Sequence, residues 1–407
     1  MMNYSLIKVI YVLCSIFLFA CSGERNSSPY NLFGNSSRTS SYEKLGRFWT
    51  GIASLEKAPC SDTSGFISFP LALSDNKFVT STSNGVVVCF KHSNLLWEYY
   101  LTANEYLVSS ICASPSEELI FITNQKIIYS LDNNGKLRWK IVLDDSSTFF
   151  THLLATKTGV YFVSQNKILY KLSYAGKILW QMQLPISSTN YFAAVGEDKL
   201  VVNLTNDKLG ETDTVILIDG NGSIIWKRYF PGLRLVRSPI AWNENIFVYG
   251  YYEEKREVIG KLISLDYNGR NLWSKEFGII PRFLSISNNG ELFLILYNTG
   301  LGENVSTIYK LDIFGNIISR QHISSTFYTP LFISKEILGA VGYTRGNPVM
   351  LFFDFDLNLW KSIDLSKYPS ILNIPAFLED CTMYFVAASK NFLVRIDENP
   401  IIKLLPW

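Results

Sequence analysis

A phrase of nine residues ending in tryptophan recurs through this chain, and a chain that repeats one short unit at a near-fixed interval folds by repetition. The phrase is Leu131-Asp132-Asn133-Asn134-Gly135-Lys136-Leu137-Arg138-Trp139, and it returns as Leu172 to Trp180, Ile218 to Trp226 and Leu265 to Trp273. A fifth copy, Leu311-Asp312-Ile313-Phe314-Gly315, has Ser319 where Trp is due. Looser copies end at Trp97, with Ser93 in the Gly position, and at Trp360, where the turn reads one residue shorter; the segment Leu45 to Trp49 has the same ending. The eight positions lie 41 to 48 residues apart, which is the length of a four-stranded propeller blade.

Local chemistry agrees with that length. An apolar strand ends at Asp or Asn, whose side chain can bond the turn backbone, and Gly supplies the positive φ of a tight hairpin. The next strand carries the Trp, which is large enough to wedge between neighbouring blades, so Trp49, Trp97, Trp139, Trp180, Trp226, Trp273 and Trp360 are expected as blade-docking residues. Two further apolar segments precede each phrase, as in Arg237 to Ile240 and Ile246 to Gly250, so each unit reads as four antiparallel strands, A to D. Pro70, Pro115, Pro239, Pro330 and Pro375 recur at strand A, where a first or edge position tolerates proline. After Trp360 the chain supplies strand A near Pro375, B (Met383 to Ala388) and C (Phe392 to Ile396), but no further phrase. The expected fold is therefore an all-β, eight-bladed β-propeller of four-stranded antiparallel blades, its ring closed by the N-terminal strand around Trp49. Self-contained blades ending in residues 401–405 are an alternative, and two stacked β-sandwiches are another, although the phrase runs on without a linker.

The N-terminus reads as an export signal. Lys8 precedes an apolar run from Val9 to Ala20, long enough for a secretory segment and too short to span a bilayer. Leu18-Phe19-Ala20-Cys21 matches the lipobox of bacterial lipoproteins, which makes Cys21 the expected lipid attachment site. Residues 1–20 are then a signal peptide and 21–43, rich in Ser, Asn and Gly, a flexible tether; residues 44–407 form the propeller. Ser22 after the lipid cysteine is compatible with the outer membrane, facing the periplasm.

Charge and motif content exclude several function classes. Lys plus Arg number 37 against 35 Asp plus Glu, without a long run of either sign, so there is no concentrated basic patch for nucleic acid. Cys60, Cys89, Cys112 and Cys381 have no metal-site spacing, and His92, His152 and His322 fall at unrelated places in different repeats. No phosphate loop, nucleophile elbow or zinc-protease motif occurs. The reading is a chain without enzymatic activity, cofactor or metal.

The Trp-ended phrase resembles the repeat of the PQQ-like β-propeller family, and the resemblance spans about residues 45–400. That family includes quinoprotein dehydrogenases, which hold a quinone against a vicinal Cys-Cys disulfide and a calcium ion, and the BamB lipoproteins of the outer-membrane β-barrel assembly machinery. This sequence has no adjacent cysteines, which sets it apart from the enzymes. The segment Pro231 to Pro239 is similar to the interblade loop with which BamB contacts its barrel partner. The match implies Leu233, Leu235 and Arg237 as partner-binding residues, although Val236 follows the second Leu and the Arg comes one position later.

Loop lengths suggest where a partner would sit. The B to C connection is short in early blades and longer at 206–214, 252–258, 299–306 and 344–348. In an up-and-down blade, B to C and D to A connections share a face, so these insertions and the Leu233–Arg237 loop crowd one rim. Together these readings predict a monomeric, lipid-anchored scaffold that binds an envelope protein, such as a barrel assembly factor, with a carbohydrate- or small-molecule-binding propeller as the alternative.

Overall fold

The computed structural model describes residues 53–144, 153–184, 191–205, 212–255, 257–298, 305–333, 337–366, 375–380, 382–386 and 392–396. The expected signal peptide and tether, Cys21, Trp49, His152 and Cys381 lie outside the described residues.

Eight separate antiparallel sheets follow one another along the chain. Blades 1 to 7 span residues 71–100, 112–142, 154–183, 191–230, 234–277, 280–323 and 326–364, each running from inner strand A to outer strand D. Blade 8 takes strands A to C from Ala376–Phe377, Met383–Val386 and Phe392–Ile396, and its outer strand is Ala53–Lys57. That N-terminal strand pairs antiparallel with Phe392–Ile396, from Ala53 opposite Ile396 to Lys57 opposite Phe392. The fold is an eight-bladed β-propeller closed between the two ends of its chain. The closing strand lies a few residues after the segment that ends in Trp49.

Burial explains why the repeat closes into a ring. The middle strands are apolar on both faces, as in Leu119–Ile122 and Val160–Val163, and every residue of both is buried. A lone sheet cannot cover two apolar faces, whereas a sheet between two neighbours can. Accordingly the core is divided into eight clusters, one at each interface between successive blades. The cluster that completes the circle joins Tyr384 and Leu393 of blade 8 to Phe78 and Phe90 of blade 1, with the Phe78 and Tyr384 rings stacked at 4.9 Å.

The repeated Trp and Gly meet across these interfaces. The indole Nε1–H of Trp97, Trp139, Trp180, Trp226 and Trp273 donates to a carbonyl in the C–D turn of the next blade, respectively Asn133, Tyr174, Gly220, Tyr267 and Ile313, at 2.8–3.0 Å. Each ring then lies on the Gly of that turn. A Cβ added to Gly222, whose φ is +87°, would meet the Trp180 ring at 2.9 Å, and one on Gly135 would meet the Trp97 ring at 2.6 Å. The Gly is needed both for its backbone conformation and because the indole occupies the space of any side chain.

At the interface between blades 6 and 7 the two partners exchange size. Ser319 stands in the Trp position, and the turn it faces carries Leu357 where the turns of blades 2 to 6 carry Gly. Leu357 adopts φ +70°, a conformation that costs a non-glycine residue about 1–2 kcal/mol, and its side chain is 1% exposed within the cluster joining these blades. The leucine fills from one side the space that an indole fills from the other.

Register also corrects one expectation. The turn Asp354 to Asn358 has the same length as Asp132 to Lys136, each closed by an N–H to carbonyl bond from its first residue to its last. The docking position, four residues after the Gly or its substitute, is therefore Lys361, which lies opposite Phe352 as Trp139 lies opposite Ser130. Trp360 falls in the bulge of the outer strand and is 42% exposed.

The exchange at blades 6 and 7 is testable by a double-mutant cycle in urea unfolding. Ser319→Trp alone overpacks the site and costs about 1–3 kcal/mol, and Leu357→Gly alone opens a cavity costing about 2–4 kcal/mol. Both together give the Trp-on-Gly arrangement of the interfaces between blades 1 and 6, so the coupling is expected to be favourable by at least about 1 kcal/mol. Additive losses would refute the exchange.

Candidate functional site

The two rims of the ring use their polar groups differently. On the rim formed by the A–B and C–D turns, side chains are directed at a neighbouring blade. Glu117 accepts from the backbone N–H and hydroxyl of Ser74 at 2.7 and 2.9 Å. Asp198 gathers Lys171 at 2.6 Å, Tyr161 at 3.1 Å and the hydroxyl of Thr158, while Lys171 also donates to the Gly220 carbonyl at 2.9 Å. Burial alone raises the Asp198 pKa, and its bonds from Lys171 and Thr158 outweigh that and hold it below the ordinary aspartate value. Lys275 and Arg228 donate to the carbonyls of Gly315 and Gly269 in the following blades. This rim is occupied with holding the ring together.

The opposite rim, made by B–C and D–A connections, is sealed on one side of the ring and elaborated on the other. Between blades 1 and 2, Glu105 is 1% exposed and accepts from Thr123 at 2.6 Å, from Tyr129 at 3.1 Å and from both the N–H and the hydroxyl of Thr102. Burial pushes its pKa up, and these hydrogen bonds outweigh burial, leaving it below the ordinary glutamate value. The connection is locked to blade 2.

In blade 5 the same rim carries a long hairpin, Asn245–Glu254 paired with Glu257–Leu265. Its tip bears exposed Glu253, Glu254 and Lys255 and half-buried Tyr251 and Tyr252. Lys261 supports it by pairing with Glu276 at 2.8 Å and lying over the Tyr252 ring. Blade 7 has a second hairpin, Leu338–Thr344 with Asn347–Phe353, whose tip exposes Arg345. Of the other two expected insertions, residues 206–211 and 299–304 lie outside the described residues.

The Leu233–Arg237 loop belongs to this rim, but not as a displayed apolar patch. Arg234–Leu235 forms a short strand on the hairpin of blade 5, opposite Tyr251 and Gly250. Leu233 and Leu235 are 6% and 5% exposed and pack with Phe230, Val215 and Val248 in the core between blades 4 and 5. The Leu235 N–H donates to the buried Asp213 carboxylate at 2.6 Å. Their apolar side chains meet other apolar side chains, so the surface of the loop comes instead from Pro231, Gly232 and the half-buried Arg234 and Arg237. Arg237 has φ +62° and its guanidinium lies over the Phe283 ring at 5.2 Å.

Sequence reasoning did not single out Arg282, Tyr297 and Tyr328, which the fold gathers beside Arg237 at this rim. Arg282 is near the start of strand A of blade 6 (Ile280–Ile286) and faces the rings of Phe283, Tyr297 and Tyr328 at 5.4–5.7 Å.

The chemistry-bearing residues noted in the sequence do not converge. His92 of blade 1 sits 3.6 Å from Asp380, and His322 of blade 6 shares a hydrogen bond of 2.9 Å with Thr307 on the neighbouring strand of its own blade. Among the described residues no group of three or more His, Cys, Asp or Glu is placed to hold a metal ion. Cys60, Cys89 and Cys112 are buried, and burial pushes the Cys89 thiol up to about 12 and raises Cys112 as well, which leaves both as unreactive thiols.

No family model matches the chain, and no curated protein does. Solved structures match by shape. BamB from Moraxella catarrhalis superposes with a TM-score of 0.57 at 11% identity, over 86% of this chain and 98% of that one. The WD40 domain of SCAP from fission yeast gives 0.57 at 10% identity, over 85% and 98%. A streptogramin B lyase gives 0.50 at 13% identity, over 86% and 99%. A lyase is among these neighbours, so the likeness at such identities carries the propeller fold and the function has to be argued from the site.

Glu105 supplies a check on the sealed part of the rim. Its folded pKa is depressed, so its contribution is present above the unfolded value of about 4.3 and is lost as pH falls through the lower folded value. Glu105→Gln is expected to lower stability at pH 7 by about 1–3 kcal/mol. Urea unfolding across pH 7 to 3 would then show the wild-type and variant curves converging at the acid end; a constant difference would remove the carboxylate from this role.

Proposed function

We propose that this chain is a non-catalytic β-propeller scaffold whose B–C and D–A rim, over blades 5 to 7, binds another protein. One observation carries the reading: one rim directs its polar groups at neighbouring blades, whereas the other projects two hairpins that present Tyr251, Tyr252, Lys255 and Arg345. Tyr and Arg are enriched where proteins meet, and mixed charges suit a polar contact rim. The lipobox-like Leu18 to Cys21 and the shape shared with BamB support a finer reading. On that reading the protein is held through a lipid on Cys21 at the periplasmic side of the outer membrane and contributes, as BamB does, to outer-membrane protein assembly. With Leu233 and Leu235 packed in the core, their part in partner binding is to hold the shape of the loop, and Arg237 is its polar contact.

Affinity recovery from native membranes tests the scaffold. Wild type is expected to recover a barrel assembly component, and a folded Tyr252→Ala, Lys255→Ala, Arg345→Ala variant should recover at least about tenfold less, a loss of about 1.4 kcal/mol or more. Equal recovery would move the interface elsewhere. Cys21→Ala should shift the protein from the membrane to the soluble fraction, and unchanged membrane retention would reject the anchor.

A further inference from the structure

The inner strands of successive blades approach one another around the ring axis, and those of blades 5, 6 and 7 bring Arg237, Arg282 and Tyr328 to the same end of it. Arg282 is the unusual member. The charged and titratable groups acting on it are Arg237, Tyr297 and Tyr328; among the described residues no carboxylate does so. Its Nε is shut off from solvent and has no hydrogen-bond partner. Burial first, then the like charge of Arg237, hold its pKa below the ordinary arginine value.

Arg282 is half-buried, and a buried N–H of a cation left without an acceptor is costly. The aromatic faces of Phe283, Tyr297 and Tyr328 stabilise it in part, because the negative face of a ring attracts a cation. They supply no hydrogen-bond acceptor in the guanidinium plane. The remaining N–H groups form a planar fork, and the chemistry that satisfies such a fork is a carboxylate, accepted in two parallel bonds. A phenol from Tyr328 and the positive field of Arg237 favour the same anion.

We propose that Arg282, with Arg237 and Tyr328 beside it, is a carboxylate-binding site at the axial end of the elaborated rim. The carboxylate is carried either by an acidic side chain of a bound polypeptide or by a small free acid, and the recognition chemistry is the same. The site stands whether or not the rim binds a protein, because it needs only the folded chain.

The test is thermal unfolding and titration of the purified protein at constant ionic strength, with citrate against chloride and tetraglutamate against tetraglutamine. Wild type is expected to be stabilised by at least one of the carboxylates and by neither control. Arg282→Gln and Arg282→Lys should each bind at least about tenfold more weakly, the lysine because it keeps the charge and loses the fork. Arg320→Gln, an exposed arginine on an outer strand, should bind as wild type does. Citrate binding marks a small acid as sufficient, whereas a response to tetraglutamate alone puts the carboxylate on a polypeptide. Should the Arg282 variants fail to fold, the Nε–H signal of Arg282 in nitrogen-15 spectra of wild type decides, since it must shift on saturation. Equal affinity in all proteins, no carboxylate effect on wild type, or an unmoved Arg282 signal would overturn the proposal. None of these results depends on recovering a partner, so the scaffold reading would be judged separately.

Discussion

Sheets that are apolar on both faces cannot stand alone, and from blade 1 to blade 6 the contact that seats one on the next is an indole lying on a backbone. Where a Trp is present it does three things at once: it covers the turn glycine of the following blade, donates Nε1–H to a carbonyl two residues earlier, and fills the outer end of the interface. A buried N–H without an acceptor would cost about 1–3 kcal/mol, so the bond fixes the position of the turn as well as the depth of the ring. The interface between blades 6 and 7 shows that the requirement is for filled volume rather than for tryptophan. Ser319 leaves a space and Leu357 fills it, at the cost of a left-handed backbone.

Once the ring is fixed, its two rims acquire different duties. Lys171, Asp198, Glu117 and Lys275 tie turns across blades on one side. On the other, blades 1 and 2 close over Glu105, while blades 5 and 7 extend their middle strands past the body of the sheet. The extension in blade 5 recruits Arg234–Leu235 as an additional short strand, so the projecting element is braced by backbone bonds. A braced hairpin loses little freedom on binding, which favours recognition.

Much of the fold was legible because Asp, Gly and Trp recur in a register that only a turn followed by a strand explains. Eight units, their strand order and the use of an N-terminal strand to finish the last blade all follow from counting that phrase. Trp360 misled because a single tryptophan beside an atypical turn was aligned by identity, whereas the ladder counts from Leu357 and reaches Lys361. The complementarity of Ser319 and Leu357 lies across two copies and cannot be seen by comparing each copy with the consensus. Leu233 and Leu235 look like contact residues in a loop, but their burial depends on how blades 4 and 5 meet. Arg282 had no local signature, since its surroundings come from Tyr297 on the neighbouring strand and Tyr328 on the next blade.

The pairing of Ala53–Lys57 with Phe392–Ile396 also has a kinetic side. These strands are separated by more than three hundred residues of sequence, so their contact is among the most non-local in the molecule, and such contacts carry a large closure entropy. A chain emerging from its N-terminus offers the closing strand first and its partner last. Until the two ends meet, blade 8 lacks its outer strand and Phe392–Ile396 keeps an open edge, a template for pairing with another chain. Ring closure thus protects the last apolar edge only after Phe392–Ile396 has been synthesised, which makes the interval before closure the period in which this chain most needs shelter from its own kind.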